Sequence, residues 1–561
     1  MTEQEKLEIL RLFNKKNFIN LELKISKIIK KEKPTSFSLN LLGISKLQKK
    51  NTSKKDSLDA LKLFKKSYNL NPNHLDTLFN YALLGLNLND YEEPFEKLKE
   101  ISKKGFNPKV ELTLSRIYFF RNDVKKAHEL LKKVINKGEL TYVTAAHFLT
   151  TFNYIYPLDQ KEYLKYCKII NDKYKIPEYL RQKIDLKTKK IDFDKIKVGF
   201  ISPDFCDHAI AQFLIGTLKE LKKYKLELHG FNLRNPKSFD HKTNEYKNVF
   251  DKWHDLSLLD DLSSAKYIKS ERIDVLIDIC GYFARNRLLI LKYRPAPIQI
   301  LWLGYLNSTG TDYVDYLVAD PNLIQDQDEE KLYTEKVLKM PNIWNCHSKI
   351  DLDIKINKNP FLKNKFFTFG CLNNSTKISY EVLIAWSEIL LNTTNTKLII
   401  KSVNTNSEKG NFEISEFFKN KKINLDRIIF LKKTKTRKQH LETYNKIDLA
   451  LDTFPYPGIT TSFESVYMGV PFLTLKGQNF LSRAGESINK NLNLLKFIAK
   501  DQKDYVDKAI AISKNPNYLI DLRKNLRNIA LNSPLFDMKQ FGKEFNLLIY
   551  NICKKNELNK K

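Results

Sequence analysis

The feature that most constrains this chain is the alternation, from about residue 195 onward, of short apolar runs with helix-like stretches. Runs of this length, bounded by Lys, Pro or other polar residues, are typical of buried parallel strands. They fall into two successive blocks, so we predict two doubly wound α/β domains with a cleft between them. The runs are Lys197–Pro203, Leu226–Phe231, Ile273–Ile279, Ile298–Leu303 and Asp315–Ala319 in the first block, and Phe366–Cys371, Leu398–Lys401, Ile428–Leu431, Leu449–Asp452 and Phe472–Leu475 in the second.

The first 140 residues carry a different period, that of paired helices. Small residues such as Gly43 and Gly85 follow leucine pairs, and Pro34, Pro72 and Pro108, which we predict to end helices, are separated by 38 and 36 residues. This pattern resembles the tetratricopeptide repeat. Repeats of that kind leave a concave surface for a peptide or partner protein. We therefore predict a non-catalytic arm that binds proteins, with an irregular helical bundle as the alternative.

Four segments follow from these patterns. They are a helical repeat arm at 1–140, a helical linker at 141–194, a first α/β domain at 195–355 and a second α/β domain at 362–545. The seam between the two α/β domains is the polar stretch Asn345–Lys363. Ligands of doubly wound sheets bind beyond the carboxyl ends of the strands, so the loops after the strands are the candidate site.

The charge balance is strongly basic, with 96 Lys+Arg against 65 Asp+Glu and a formal net charge of +31. Lysines supply most of the excess and are scattered, whereas nucleic-acid readers usually combine Arg with aromatic platforms or a helix-turn-helix pattern. We therefore do not expect nucleic acid as a partner. The positive field favours small ligands that carry phosphate.

Other classes of protein are excluded by what the sequence lacks. The longest apolar run, Ile298–Leu306, falls far short of the roughly 18 residues that a membrane span needs. Met1–Lys16 has no apolar signal region, and the six cysteines form no CxxC pair, so we expect a cytoplasmic protein without disulfides or a cysteine zinc site. Asp351-Leu352-Asp353 has the spacing of a metal–diphosphate motif, but its polar, lysine-flanked surroundings favour a solvated linker.

The most informative loop, Asp452–Thr461, follows one predicted strand and leads into a predicted helix. Such a junction binds a diphosphate well, because free backbone N–H groups and the positive end of the helix dipole face the anion. Thr460 and Thr461 add hydroxyl donors, and Glu464 in the first turn is placed to accept the hydroxyls of a ribose. Thr-Thr-Ser followed by Glu is equally typical of an ordinary helix cap, so these local features alone leave both interpretations open.

Several separated motifs, in order along residues 195–545, resemble the protein O-GlcNAc transferase family (glycosyltransferase family 41), to which SPINDLY-type transferases also belong. One group of motifs lies in and just after the loop Asp452–Thr461, which we call the donor loop: Leu451–Tyr456, Gly458, Thr460-Thr461 and Glu464–Pro471. The others are Ser202–Phe205 with His208, Arg294–Gln299 with Trp302–Tyr305 and Thr309-Gly310, Phe369-Gly370 with Asn373-Asn374 and Lys377-Ile378, and Ser482-Arg483. The resemblance implies a GT-B fold, with a catalytic, acceptor-side domain at 195–355 and a nucleotide-sugar-binding domain at 362–545. It also implies an inverting, metal-independent transfer of N-acetylglucosamine from UDP-GlcNAc to Ser or Thr of proteins.

The resemblance assigns roles on the donor side. Lys377 matches the lysine that contacts the donor diphosphate, where a cation stabilises the charge that develops on the leaving group. Asn374 stands where the family lines the donor site with Gln or Asn. His440 matches a histidine that packs on the base. Arg437 lies near a position that reads the base edge, although an extra residue in this stretch leaves Lys435 and Lys438 as alternatives.

On the acceptor side, His208 matches the histidine proposed as general base, and a histidine takes up a proton near neutral pH. Asp278, at the end of a predicted strand, is a weaker candidate for orienting the acceptor or accepting its proton.

Two alternative functions remain open on the sequence. The same fold can use GDP-fucose, because the Phe454-Pro455-Tyr456 loop is shared with SPINDLY-type members. The chain can also be a non-catalytic scaffold that binds peptides or nucleic acid through its repeats.

Overall fold

The computed structural model describes residues 2–48, 53–88, 90–139, 141–177, 190–401 and 408–558. It separates the chain into two compact units, Met1–Leu140 and Thr141–Lys561. The first unit is helical throughout its described part. Its helices are α1 (Glu3–Asn14), α2 (Phe18–Lys31), α3 (Ser36–Leu47), α4 (Lys54–Leu70), α5 (Leu75–Leu88), α6 (Glu92–Lys104), α7 (Pro108–Phe120) and α8 (Val124–Asn136).

Neighbouring helices of this unit pack through small residues, as the repeat pattern predicts. A Cβ atom on Gly43 of α3 would lie 2.5 Å from the Phe64 ring of α4, so the close crossing of these helices needs glycine. One sequence expectation is wrong in detail. Pro108 begins α7 instead of ending the helix before it, because the missing N–H of proline costs nothing at the first position of a helix.

The predicted linker is better described as part of the second unit. Two helices, α9 (Tyr142–Phe152) and α10 (Gln160–Lys173), occupy its described part, and residues 178–189 lie outside the described ranges. The hydroxyl of Tyr163 lies 2.9 Å from that of Tyr305 and donates to the carbonyl oxygen of Ser308 (2.6 Å), both of which belong to the first α/β domain. These helices are therefore held on that domain by buried polar contacts.

The first α/β domain contains a seven-stranded, fully parallel sheet in the order β3-β2-β1-β4-β5-β6-β7. Its strands are β1 (Ile196–Ser202), β2 (Leu226–Asn232), β3 (Lys252–Asp255), β4 (Val275–Asp278), β5 (Ile298–Leu301), β6 (Tyr316–Ala319) and β7 (Lys336–Lys339). Its helices are α11 (Ala211–Leu221), α12 (His241–Val249), α13 (Asp261–Ser270), α14 (Leu289–Lys292) and α15 (Gln327–Glu330).

The second α/β domain repeats this plan with six parallel strands in the order β10-β9-β8-β11-β12-β13. Its strands are β8 (Phe367–Cys371), β9 (Thr396–Lys401), β10 (Ile428–Leu431), β11 (Leu449–Leu451), β12 (Phe472–Leu475) and β13 (Ile498–Ala499). Its helices are α16 (Pro360–Asn364), α17 (Tyr380–Leu391), α18 (Glu408–Asn420), α19 (Arg437–Glu442), α20 (Thr460–Tyr467), α21 (Ala484–Asn491), α22 (Gln502–Lys514), α23 (Tyr518–Leu531) and α24 (Met538–Leu558).

Both sheets confirm the predicted fold class. In each sheet the order of the strands reverses next to the first strand. This reversal places one crevice between β1 and β4 and another between β8 and β11. The ends of these four strands and the loops after them carry most of the predicted site residues, whereas Arg437 and His440 follow β10.

The two α/β domains also contact each other away from the crevices. The final helix, α24, returns from the second domain to the first, where Phe545 packs against Trp302 with ring centroids 4.4 Å apart. On the other side, the guanidinium of Arg483 binds both carboxylate oxygens of Glu329 at 2.6 Å. Of the predicted seam, Cys346 and His347 are buried, so the connection begins inside the protein.

Among the residues that the structure describes, no helix is both long and apolar enough to cross a membrane. The location of the protein in the cell stays a prediction.

Candidate active site

Asp452, the first residue after β11, holds the donor loop in place from inside the domain. Its side chain is only 4% exposed. One carboxylate oxygen accepts hydrogen bonds from the N–H groups of Gly458 (2.6 Å) and Thr453 (2.9 Å), and the other accepts one from the Thr474 hydroxyl (2.9 Å). Burial raises the pKa of Asp452 to about 6, although these hydrogen bonds favour its ionised form.

Asn373, at the end of the neighbouring strand β8, completes this network. Its amide nitrogen donates to Asp452 (3.0 Å) and to the Thr453 hydroxyl (2.9 Å), while its oxygen accepts a hydrogen bond from the Thr461 hydroxyl. A Cβ atom on Gly458 would lie 2.6 Å from the Asn373 oxygen and 2.5 Å from the Thr461 hydroxyl. Only glycine fits at that point of the loop.

Helix α20 begins at Thr460 without a side-chain cap, since Ile459 precedes it. Thr460 and Thr461 are half-buried. This finding favours the anion-binding interpretation of the sequence over the ordinary cap, because the first N–H groups of an uncapped helix are available to a ligand.

Lys377 lies in a short 3₁₀ turn after β8 and reaches over the same loop. Its ammonium donates to the carbonyl oxygen of Pro457 (2.8 Å) and lies 3.7 Å from the centroid of the Tyr456 ring. Burial lowers its pKa, and the charge of Asp452 acts in the opposite direction. The neighbouring Asn374 is exposed and caps the turn, with its oxygen accepting from the Thr376 N–H (3.1 Å).

Glu464, in the first turn of α20, is 2% exposed and already paired. Arg437 forms an ion pair with one of its oxygens (2.9 Å), and Nε2 of His440 lies 3.0 Å from the other. Burial alone would raise the pKa of Glu464, but the hydrogen bond from His440 and the charge of Arg437 outweigh it and lower this pKa. Each oxygen keeps a second lone pair for a ligand hydroxyl.

The same contacts distinguish Arg437 from its sequence alternatives. Arg437 is half-buried and pairs with Glu464, whereas Lys435 and Lys438 are exposed.

Lys401, the last residue of β9, is a buried cation that the sequence interpretation missed. Its ammonium lies 2.7 Å from Nδ1 of His440. An ammonium has only donors, so Nδ1 of His440 must accept and the ring proton lies on Nε2, facing Glu464. Burial lowers the pKa of Lys401 to about 8. Its position at the carboxyl end of a strand was the available signal, because β9 neighbours β8 in the sheet.

In the first α/β domain, Asp278 is the last residue of β4, and His208 lies in the loop that follows the neighbouring strand β1. Asp278 is 4% exposed and accepts a hydrogen bond from the Gly281 N–H (2.6 Å). Burial, assisted by the charge of Asp204, raises its pKa to about 7. His208 is exposed in its loop, and its Nδ1 accepts a long hydrogen bond from the Ile210 N–H (3.4 Å).

Other residues of the family-like motifs have structural partners. Arg294 binds both oxygens of Asp315 (2.9 and 3.0 Å). The Gln299 amide donates to the carbonyl oxygen of Leu291 (2.9 Å). Together with the Arg483–Glu329 pair, these contacts position the loops. The residues that take part in the chemistry are therefore expected among those of the donor loop.

Comparison with known proteins identifies the family. The model of glycosyl transferase family 41 matches residues 120–357 and 356–545, which is more than half of the chain. The chain belongs to this family. The resemblance inferred from the sequence motifs is thereby confirmed.

Two curated relatives are named "Probable UDP-N-acetylglucosamine--peptide N-acetylglucosaminyltransferase SPINDLY". The one from Petunia hybrida is 29% identical over 353 residues, covering 62% of this chain and 37% of the relative. The one from Arabidopsis thaliana is 30% identical over 366 residues, covering 64% of this chain and 40% of the relative. The chain thus spans about two fifths of the length of these relatives.

A solved structure shares the fold. A mutant O-GlcNAc transferase from Thermobaculum terrenum superposes with a TM-score of 0.78 at 23% identity, covering 89% of this chain and 95% of that protein.

The glycine at the centre of the donor loop provides a first prediction. Gly458→Ala should weaken binding of the expected ligand UDP at least 10-fold, about 1.4 kcal/mol, because its Cβ atom would displace Asn373 and Thr461. Gly105→Ala is the matched control, since a Cβ atom there meets nothing within 4 Å. Isothermal titration calorimetry measures both. Equal affinity in the two variants would mean that this loop does not hold the phosphates.

A second prediction concerns Lys401. Lys401→Met should reduce UDP affinity about 10-fold, because His440 loses the donor that orients it. Wild-type affinity should also fall as the pH rises through about 8, where Lys401 loses its charge, and this fall should be smaller in the variant. Lys435→Met, which removes an exposed lysine of the preceding loop, is the control. An unchanged affinity and pH profile in Lys401→Met would contradict the assignment.

Proposed function

We propose that this protein is an inverting, metal-independent glycosyltransferase that moves N-acetylglucosamine from UDP-GlcNAc to Ser or Thr hydroxyls of proteins. The observation that carries the proposal is the convergence of an uncapped helix start, the glycine loop held by Asp452 and the Lys377 ammonium at one sheet crevice. The names of the curated relatives support the donor and the peptide acceptor.

In the proposed reaction, the acceptor oxygen attacks the anomeric carbon of the sugar from the face opposite the diphosphate. The bond between that carbon and the phosphate oxygen breaks, its electron pair leaves with UDP, and the configuration inverts. Lys377 and the N–H groups at the start of α20 stabilise the charge that develops on the diphosphate. In this proposal, positive groups of the protein take the role that a metal ion has in other enzymes.

The acceptor hydroxyl must lose a proton. We propose that His208 accepts this proton and that Asp278 orients the acceptor. His208 is exposed at the crevice end of β1 and can reach a substrate. Asp278, with a pKa of about 7, is the alternative base. His208→Ala and Asp278→Asn distinguish the two, because loss of the true base should flatten the alkaline-rising limb of the rate profile.

The donor is tested by titrating UDP and GDP into the full chain and following thermal unfolding. A nucleotide present at about 100 times its Kd stabilises by about 2.7 kcal/mol. We expect a response to UDP. A response to GDP alone would replace UDP-GlcNAc with GDP-fucose. Labelled UDP-GlcNAc and a cell lysate then test transfer, and a non-catalytic scaffold would leave no label on protein.

Lys377 allows a sharper test of mechanism. Lys377→Ala should lower turnover roughly 10²–10³-fold, about 3–4 kcal/mol, because it removes one preorganised positive group from the transition state. UDP affinity should fall less, since Thr460, Thr461 and the start of α20 remain. Lys432→Ala, which removes an exposed lysine, is the control.

Added Mg²⁺ should not restore the Lys377→Ala variant, and EDTA should not inhibit the wild type. Near-wild-type turnover in Lys377→Ala, with an unchanged circular dichroism spectrum, would place the donor site elsewhere.

We further propose that the helical unit captures the protein acceptor. It contains a groove of about 570 Å³ whose lining mixes apolar side chains with charged ones, including Asp76, Lys109 and Arg116. Deleting residues 1–140 should spare UDP binding and slow the labelling of whole proteins, because only acceptor affinity is lost. If the truncated chain labels lysate proteins as fast as the full chain, this unit has no part in acceptor capture.

A further inference from the structure

A group of metal-binding side chains lies at the outer edge of the first sheet, apart from the proposed donor site. His229 lies on β2, His254 on β3, and Glu271 directly follows α13. Nδ1 of His229 is 3.0 Å from Nε2 of His254 and 3.9 Å from a carboxylate oxygen of Glu271. The three ligand atoms all lie within 4.8 Å of one another, and within the described ranges no other group of His, Cys, Asp or Glu meets this criterion.

The sheet and the helix together produce this convergence. In the parallel register His229 pairs with Lys252, so His254, two residues further along β3, points to the same face of the sheet as His229. The end of α13 brings Tyr267 and Glu271, one helical turn apart, to the same two rings. Three separate elements therefore deliver one side chain each.

The outer nitrogens of both rings have partners suited to a metal site. Nε2 of His229 lies 2.7 Å from a carboxylate oxygen of Glu227, and Nδ1 of His254 lies 3.1 Å from the Tyr267 hydroxyl. When these nitrogens carry the protons, the lone pairs of both inner nitrogens face the same space. A carboxylate on the outer nitrogen is the partner that metal-binding histidines commonly have.

The charges also suit a cation. Both rings are buried, and burial disfavours the protonated form of a histidine. The competing cation is Lys252, whose ammonium is 3.6 Å from Glu271 and 3.4 Å from Glu227. Its side chain is 48% exposed, so it can turn to solvent and leave Glu271 to a metal ion.

We infer that His229, His254 and Glu271 bind one divalent transition-metal ion, of which zinc suits the ligand set best. Two histidines and one glutamate form a known three-ligand set for zinc that leaves a fourth position for water. Two ligand atoms at zinc distances lie about 3.3 Å apart in tetrahedral geometry, and the separations of 3.0 and 3.9 Å here bracket that value. The ion would join the edge strand β3 to β2 and to the end of α13.

The test uses the full chain without an affinity tag, treated with EDTA and then dialysed. Zinc is titrated by calorimetry and cobalt by visible absorption. We expect one equivalent to bind. His254→Gln and Glu271→Gln should weaken binding at least 100-fold, and Glu227→Gln about 10–100-fold because it changes an outer partner. His241→Gln, which changes an exposed histidine of the same domain, should bind as the wild type does.

Two results would overturn the inference. One is the absence of saturable binding in the wild-type chain, which would leave these side chains as a hydrogen-bonded chain from Tyr267 to Glu227. The other is wild-type affinity in both His254→Gln and Glu271→Gln, which would place the metal elsewhere. Glu271 is partly exposed, so its variant should fold, and circular dichroism checks this. No step of the test depends on glycosyl transfer.

Discussion

The buried carboxylate of Asp452 is the contact on which the donor loop depends. A loop that bends back after a strand to start a helix exposes backbone N–H groups, and these need an acceptor if the bend is to persist. Asp452 supplies acceptors to Gly458 and Thr453 at once and receives the Asn373 amide from the adjacent strand. The cost of burying this charge is visible in its raised pKa. With the bend held from inside the domain, the half-buried Thr460 and Thr461 at the start of α20 remain accessible to a ligand.

The central strands could be predicted from the sequence, whereas several edge strands could not. Each predicted strand lies within a residue or two of an observed one, because parallel strands covered on both faces are continuous apolar runs. The missed strands, β3, β7 and β13, all lie at sheet edges. Lys252–Asp255 and Lys336–Lys339 carry charged residues and are partly exposed, so no apolar run marks them. His254 lies on the missed strand β3 and was overlooked for the same reason.

The candidate site shows a similar division. Strand order places the loops, so Lys377, Thr461 and Glu464 could be found from their positions after strands and from the family-like motifs. The contacts among them are tertiary. Nothing local indicates that Lys401 determines the tautomer of His440, or that Glu464 is already paired with Arg437. Sequence motifs also do not distinguish residues that take part in the reaction from residues that stabilise the structure. The Arg294–Asp315 and Arg483–Glu329 ion pairs illustrate the second kind.

The return of α24 has a mechanical consequence. The chain passes between the two α/β domains once through the stretch around His347 and again before Met538, and these passages touch, since the His347 N–H donates to the carbonyl oxygen of Leu535. Two adjacent crossings of the chain are typical of a hinge between domains, so we expect any motion between the two domains to be a rotation about this point. The Arg483–Glu329 pair is a further contact between the domains and would resist such a rotation.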